Sequence, residues 1–527
     1  MPKNYLIGIG GTGARVIEAA VHLCAAGFGP DELSIFLVDP DSGNGNLSRT
    51  KSLITNYIKC RKQLQKQAGS SIFNTDIKIP PDEKGLVWGI FPDKGATLAN
   101  FINFKNMPQN NPELADFASV LFTHDELNTT LDMGFRGHPS IGAVVMADIP
   151  YNEYPFKLLF DDLANNKRAN DIRVFLVGSV FGGTGAAGFP TLGSKQILKF
   201  HKLAKIEDNL SQILLGGALV LPYFSFELNA DTSRTEKEMF VTTKDFPIAT
   251  KAALQYYEEK DLGFDQIYFL GDSLAPKVGK FEFGAMKQLN MPHYIEVASS
   301  LAAFDFYEQP DIKGPAPQML FTACRESEKL RWSDLPVTRE ALKIREKQME
   351  LKSLVTRMTV FCYSFLTYGK RILAANHREL KEAWYVDYFK FNQRDEKDKL
   401  KDPRLGQSKE ALDDFETFAN SFLFWISAMD DNSGMVELID RKMLVKGELD
   451  TGKKVSLIDP EQDNTKTNIG YLLKSEGSNK GRDFNDFIAN GLNAVVLDKK
   501  ITDASSKYLN IFYEAAIKYC KANYNVN

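Results

Sequence analysis

Residues 5–26 read Y-L-I-G-I-G-G-T-G-A-R-V-I-E-A-A-V-H-L-C-A-A, and this stretch decides the fold. Residues 5–9 are apolar, as a buried strand requires; 8–13 then read G-I-G-G-T-G, and 14–26 carry the apolar spacing of a buried helix. Strand, tight turn and helix in that order open a βαβ unit. A second strand at 34–38 closes it, ending at Asp39 in the run D-P-D-S-G-N-G-N-L-S-R.

The same order returns further on. Residues 173–177 form an apolar strand, 178–188 a glycine-rich loop and 189–204 a helix, with more strands at 213–221 and 266–270. The alternation predicts an α/β fold with a doubly wound, mainly parallel sheet. Residues 50–130 interrupt it and read as an insertion, with one helix at 52–67 and loops marked by Pro80-Pro81 and by 106–112. Helical spacing resumes at 292–307, where Ile295, Ser299, Ala302, Ala303 and Phe306 form one stripe. Beyond a boundary expected at 310–317, a strand at 318–323 and helices at 338–376, 408–429, 482–492 and 502–522 predict a large helix-rich α+β domain over 311–527. The nucleotide-binding half is expected to span 1–310.

A chain of 527 residues exceeds one ordinary core, in keeping with two domains. With 64 Lys plus Arg against 68 Asp plus Glu, no global field draws it to nucleic acid or an anionic membrane. The five cysteines are dispersed, with no C-x-x-C pair, which argues against a disulfide framework or a thiolate zinc site. No leader-like segment opens the sequence and no apolar run reaches spanning length, so a reducing, cytoplasmic setting without membrane insertion is expected.

Chemistry concentrates in the two glycine turns. Glycines at a strand end let the backbone approach a diphosphate, and the following helix N-terminus offers free N–H donors and a positive dipole end. The first turn supplies Gly8, Gly10, Gly11, Thr12 and Gly13; the second supplies Phe181, Gly182, Gly183, Thr184, Gly185 and Ala186. Neither contains a lysine or the G-K-[ST] ending of a Walker A loop, so phosphate charge must be met by N–H groups, the Thr12 and Thr184 hydroxyls and a cation. Asp39 and Asp41 are candidates to hold Mg²⁺ through water or to meet ribose hydroxyls; an Asp in D-P-D-S-G is equally a turn former.

The run F-G-G-T-G-A-A-G at 181–188 resembles the tubulin signature loop G-G-G-T-G-[ST]-G, and residues 8–13 resemble that family's first phosphate loop. Residues 134–142, G-F-R-G-H-P-S-I-G with Gly137 at their centre, are similar to the G-A-G-A-N-P-E-x-G stretch of FtsZ. Residues 219–227, L-V-L-P-Y-F-S-F-E ending in Glu227, resemble its V-V-T-K-P-F-x-F-E strand and loop near the ribose. In this order, over 8–227, the motifs make the chain resemble the tubulin/FtsZ superfamily, as a divergent bacterial member. The resemblance implies GTP or GDP with Mg²⁺, head-to-tail self-association into oligomers or filaments, and GTP hydrolysis activated by assembly.

It further implies a central helix whose N-terminal aromatic, Tyr294 or else His293, stacks on the guanine, although Tyr294 also suits a core position; Asp272 would meet the base or ribose edge. The family's acidic loop, N-x-D-x-x-[DE], has no clean copy. Glu308 and Asp311 follow the helix in Y-E-Q-P-D-I-K-G, while Glu296 is the acid if N-M-P-H-Y-I-E is a degenerate version. The helix-rich half departs from the family and suggests a second protein partner. Other readings are an ATP-dependent adenylating enzyme of the ubiquitin-activating type, from G-x-G-G-x-G with D-P-D and N-L-S-R, or a NAD-binding Rossmann enzyme using Asp39. Neither accounts for the second glycine turn. A further reading is a nucleotide-switched scaffold without hydrolysis.

Overall fold

Apolar runs that end in glycine, proline or aspartate form the central strands of this chain, because each can be buried on both faces while its end turns out of the sheet. The computed structural model describes residues 2–41, 43–81, 83–89, 96–131, 134–135, 138–147, 149–165, 172–204, 213–228, 243–260, 262–272, 277–281, 289–309, 318–321, 329–376, 379–389, 402–431, 436–460, 468–473 and 484–524. In chain order the strands are β1 (Lys3–Ile9), β2 (Glu32–Val38), β3 (Asp76–Lys78), β4 (Val87–Trp88), β5 (Ile172–Ser179), β6 (Ile213–Val220), β7 (Ser225–Leu228), β8 (Gln266–Leu270), β9 (Lys277–Phe281) and β10 (Gln318–Phe321). One sheet runs β10-β8-β6-β5-β1-β2-β3, with β4 also on β2, and its pairings are all parallel. β7 and β9 form a separate parallel ribbon.

Neighbouring residues of a strand face opposite sides, and a glycine pair in β6 reveals what covers each side. A Cβ on Gly216 would lie 2.6 Å from the Phe306 ring, and one on Gly217 would lie 2.5 Å from the Phe189 ring. One face thus carries the helix Tyr294–Glu308, beside the first helix, Gly10–Ala26, to which it is tied by Ser300 Oγ donating to the Val16 carbonyl at 2.9 Å. The other face carries the helix Gly183–Pro190 and its continuation.

Both helices of the first face are buried all round: in 10–26 all but Gly11, in 294–308 all but Glu308. The single stripe expected for 292–307 is therefore too narrow. A third layer explains this, because C-terminal helices close over the first face. The His22 ring stacks on Trp425 of the helix Gly406–Asp431 at 4.9 Å, and Phe361 of the helix Ile344–Ser364 packs on Phe415 at 4.7 Å. Arg339, ahead of that helix, donates to Asp305 at 3.1 Å. One continuous apolar core runs through both halves of the chain.

This is a mixed α/β protein with a mainly parallel sheet and a large helix-rich C-terminal region. Several boundaries differ from expectation. β10 pairs with β8, so the sheet runs past the boundary expected at 310–317. Residues 50–130 add β3 and β4 to the β2 edge. The helix expected at 52–67 is Gly45–Gln63, because Asn44 Oδ1 caps it by accepting the Asn46 N–H at 3.0 Å. The run at 178–188 is helical from Gly183, with a π turn at Thr191–Ile197. The helix expected over 338–376 is Ile344–Ser364, a π turn and Lys370–Ala374, and the described part of 482–492 is Phe484–Asp486, a π segment and the start of a 3-10 turn. Among the described residues no helix is long and apolar enough to cross a membrane.

Candidate functional site

The chain leaves β1 toward β2 but leaves β5 toward β6, so the winding reverses between these adjacent strands. Diverging connections at such a point leave a crevice outside the carboxyl ends of the strands. Both glycine turns lie there. Gly10 has φ +69°, which L side chains rarely adopt, and a Cβ on it would lie 3.3 Å from Thr184 Cβ and 3.7 Å from the Gly185 nitrogen. The two turns are thus side by side. Gly13 is needed for a different reason: a Cβ there would lie 2.5 Å from the Gly8 carbonyl carbon and 2.8 Å from the Val177 oxygen, so only glycine lets the first helix sit this low over β1 and β5.

Neither helix start has a side-chain cap or an acidic residue in its first turn. The first N–H groups of an α-helix have no intrahelical acceptor and carry the positive dipole end. Two such starts lie in contact here, neither of them capped by a side chain.

The acidic loop after β2 borders the first turn. A Cβ on Gly11 would lie 3.0 Å from Asn44 Nδ2, which donates to Asp39 Oδ2 at 3.3 Å. The Asp41 N–H donates to Asp39 Oδ1 at 3.1 Å, and the Gly43 N–H to Asp41 Oδ1 at 3.0 Å. Burial, reinforced by the Asp41 charge, pushes the Asp39 carboxyl up to about 7. Among the described residues no group of three or more His, Cys, Asp or Glu side chains converges as a metal site. A third loop joins here, since a Cβ on Gly134 would lie 3.8 Å from Asp41 Cβ, and one on Gly142 would lie 2.6 Å from Ala187 Cβ.

Beneath the first turn lies a buried charge network. Arg15 Nε donates to Glu296 Oε1 at 2.6 Å, and its Nη2 donates to the Tyr223 hydroxyl at 2.6 Å and Thr12 Oγ1 at 3.3 Å. Tyr223 donates to the same Glu296 oxygen at 2.9 Å, and Glu296 Oε2 accepts the His293 N–H at 2.9 Å in a capping box. The His293 ring lies 5.0 Å from that of Tyr223 and 4.6 Å from that of Tyr294. Alongside, Arg49 donates to Glu18 at 2.7 Å and to the Asn290 carbonyl at 2.9 Å, and Asn46 bonds Asn290 at 3.0 Å. The second turn rests on rings instead: Phe181 packs on Phe246 at 4.5 Å and Phe224 at 5.5 Å, and Tyr257 donates to the Ala186 carbonyl at 2.8 Å.

The expected residues Gly8, Gly10, Gly11, Thr12, Gly13, Asp39, Asp41, Gly182, Gly183, Thr184, Gly185 and Ala186 therefore lie on neighbouring loops at the switch point, with Phe181 buried behind them; His293 and Tyr294 are linked to the first turn through Glu296 and Arg15, and both are buried, Tyr294 as part of the core. Asp272 follows β8, two strands from β5, or about 10 Å along the sheet. Glu227 lies in β7. Glu296 is enclosed by Arg15, Tyr223 and its own helix cap, the setting of an anchor. Glu308 is at the opposite end of its helix, ion-paired with Lys347 in a cleft of about 240 Å³ lined also by Asn4, Phe28 and Glu350. Gly137 and Asp311 lie outside the described residues.

Arg15, Tyr223 and Asn290 were not singled out from sequence. One signal existed: Arg15, Glu18 and His22 recur at i, i+3 and i+7 as a polar stripe in an otherwise apolar helix. Compared with known proteins, the chain matches no family model, and no curated protein is significantly similar to it.

Proposed function

We propose that this chain is a tubulin/FtsZ-like GTP-binding protein that associates head to tail, with nucleotide at the subunit interface and GTP hydrolysis that is weak or assembly-dependent. The observation that carries the reading is the contact between two uncapped glycine helix starts at the switch point of the sheet. A polyphosphate spanning both turns would meet backbone N–H groups and the Thr12 and Thr184 hydroxyls, since neither turn contains a lysine. Asp39 and Asp41 fit Mg²⁺, which takes one or two carboxylates and completes its shell with water and phosphate oxygens. When bound, that ion neutralises phosphate charge. The base would lie at the start of the 294–308 helix, where the His293 and Tyr294 rings are buried against each other.

Glu308 ends a helix of 15 residues, about 22 Å from its start, so it does not reach the turns of its own chain. In an end-on stack it would meet the nucleotide of the next copy, a heterologous contact that repeats into a filament. There Glu308, with Asp311, would orient water toward the terminal phosphoryl group. The Glu308–Lys347 ion pair favours a second reading, in which the nucleotide is a switch and the helical half recruits another protein.

The test is to identify the co-purifying nucleotide and to follow light scattering with GTP and Mg²⁺. Guanine nucleotide and GTP-dependent scattering are expected. ATP or NAD would favour an adenylating or dehydrogenase-type enzyme, and guanine nucleotide without scattering or turnover would favour the switch.

A further inference from the structure

We propose that Arg15 is a positioning residue that locks the phosphate-binding turn to the base-binding end of the 294–308 helix, so that the two halves of a nucleotide are recognised in one register. The inference rests on the nucleotide reading above and concerns how that site is held. Arg15 is 3% exposed, and its bonds reach three separate segments: Thr12 in its own first turn, Tyr223 after β6, and Glu296 in the first turn of the 294–308 helix. Glu296 in turn fixes the His293 backbone, and the His293 ring lies against both Tyr223 and Tyr294. The guanidinium also lies 5.5 Å from the Phe224 ring centre.

A buried ion pair is a poor way to gain stability, since apolar residues of similar volume do as well or better. Directional bonds do what apolar packing does not: a planar guanidinium with several donors in a fixed fork sets the mutual distance and angle of three elements. The Thr12 hydroxyl, aligned by Arg15, belongs to the turn; the His293–Tyr294 rings belong to the helix start. A ligand that touches both profits from their fixed spacing, whereas one that touches only the turn does not.

The discriminating variant is Arg15→Met combined with Glu296→Met, which removes both charges at once and leaves no orphan ion in the core. Arg15→Lys is the conservative companion. With full-length protein, dissociation constants for a fluorescent GTP analogue and for inorganic triphosphate are measured with Mg²⁺, next to melting curves. The double variant is expected to lose GTP affinity on the order of 10- to 100-fold, the worth of a charged hydrogen bond, but triphosphate affinity less than about 3-fold. Arg15→Lys should recover part of the GTP loss. Equal losses for both ligands, or an unchanged GTP constant in a folded double variant, would overturn the proposal. Wild-type protein that binds neither ligand would instead overturn the nucleotide reading itself.

Discussion

The two glycine turns use the same backbone device on different foundations. Beneath the first lie charges bonded in fixed directions, Arg15, Glu296, Tyr223 and Thr12. Beneath the second lie Phe181, Phe224, Phe246 and Tyr257, held by packing, with a hydrogen bond from Tyr257 to the turn. Apolar packing tolerates volume-conserving substitution, whereas a hydrogen-bonded ion pair has one good geometry. The first turn is therefore tied to a helix that crosses the molecule, and the second is a wall.

Breaking each foundation should give unequal results. Arg15→Met alone leaves Glu296 buried without its partner and should destabilise the protein by about 3–5 kcal/mol in urea unfolding, largely recovered when Glu296→Met is added. If the single and double variants unfold alike, the charges beneath the first turn are not coupled.

The polar stripe below that turn ends in His22, enclosed by Phe418, Phe422 and Trp425, with neither ring nitrogen hydrogen-bonded among the described residues. Burial, helped by the Arg49 charge, pushes its imidazole down to about 3 from an ordinary value of 6.5. Between these values the unfolded chain binds the proton and the folded one does not. His22 thus leaves stability intact above pH 6.5 and removes it as pH falls toward 3, by up to about 1.4 kcal/mol per pH unit. His22→Phe should flatten that acid limb, seen as a smaller shift in urea midpoint between pH 7 and pH 4.

On the aromatic side, Phe181→Leu should lower stability by only about 1 kcal/mol, since neighbouring rings can repack. A loss as large as that of Arg15→Met would erase the contrast between the turns. The smallest effect is expected far from both: Lys347→Ala removes a half-exposed pair with Glu308 and should change the melting behaviour by less than about 1 kcal/mol.

The parts legible in the sequence were those with local causes. β1, its turn and the first helix, and the strands β5, β6 and β8, follow from apolar runs punctuated by glycine or proline. β3 and β4 are too short to carry a period, and the start of the helix at Gly45 was hidden because Asn44 and Gly45 look like loop residues until the cap is seen. The glycine turns were readable as phosphate-type turns, but not the support under them, because Arg15 meets Tyr223 and Glu296 across 208 and 281 residues. The polar stripe marks Arg15 itself, but spacing does not name partners that far along the chain.

The margins of the sheet also bear on how copies can meet. Among the described residues β10 has four residues, β3 three and β4 two, so each described border is a brief row of backbone groups. Strand-by-strand growth of the amyloid kind needs long, flat borders, which the described edges of this sheet do not offer. Borders this short favour contact between copies through side-chain surfaces over shared strands, which would leave each copy a separately folded unit.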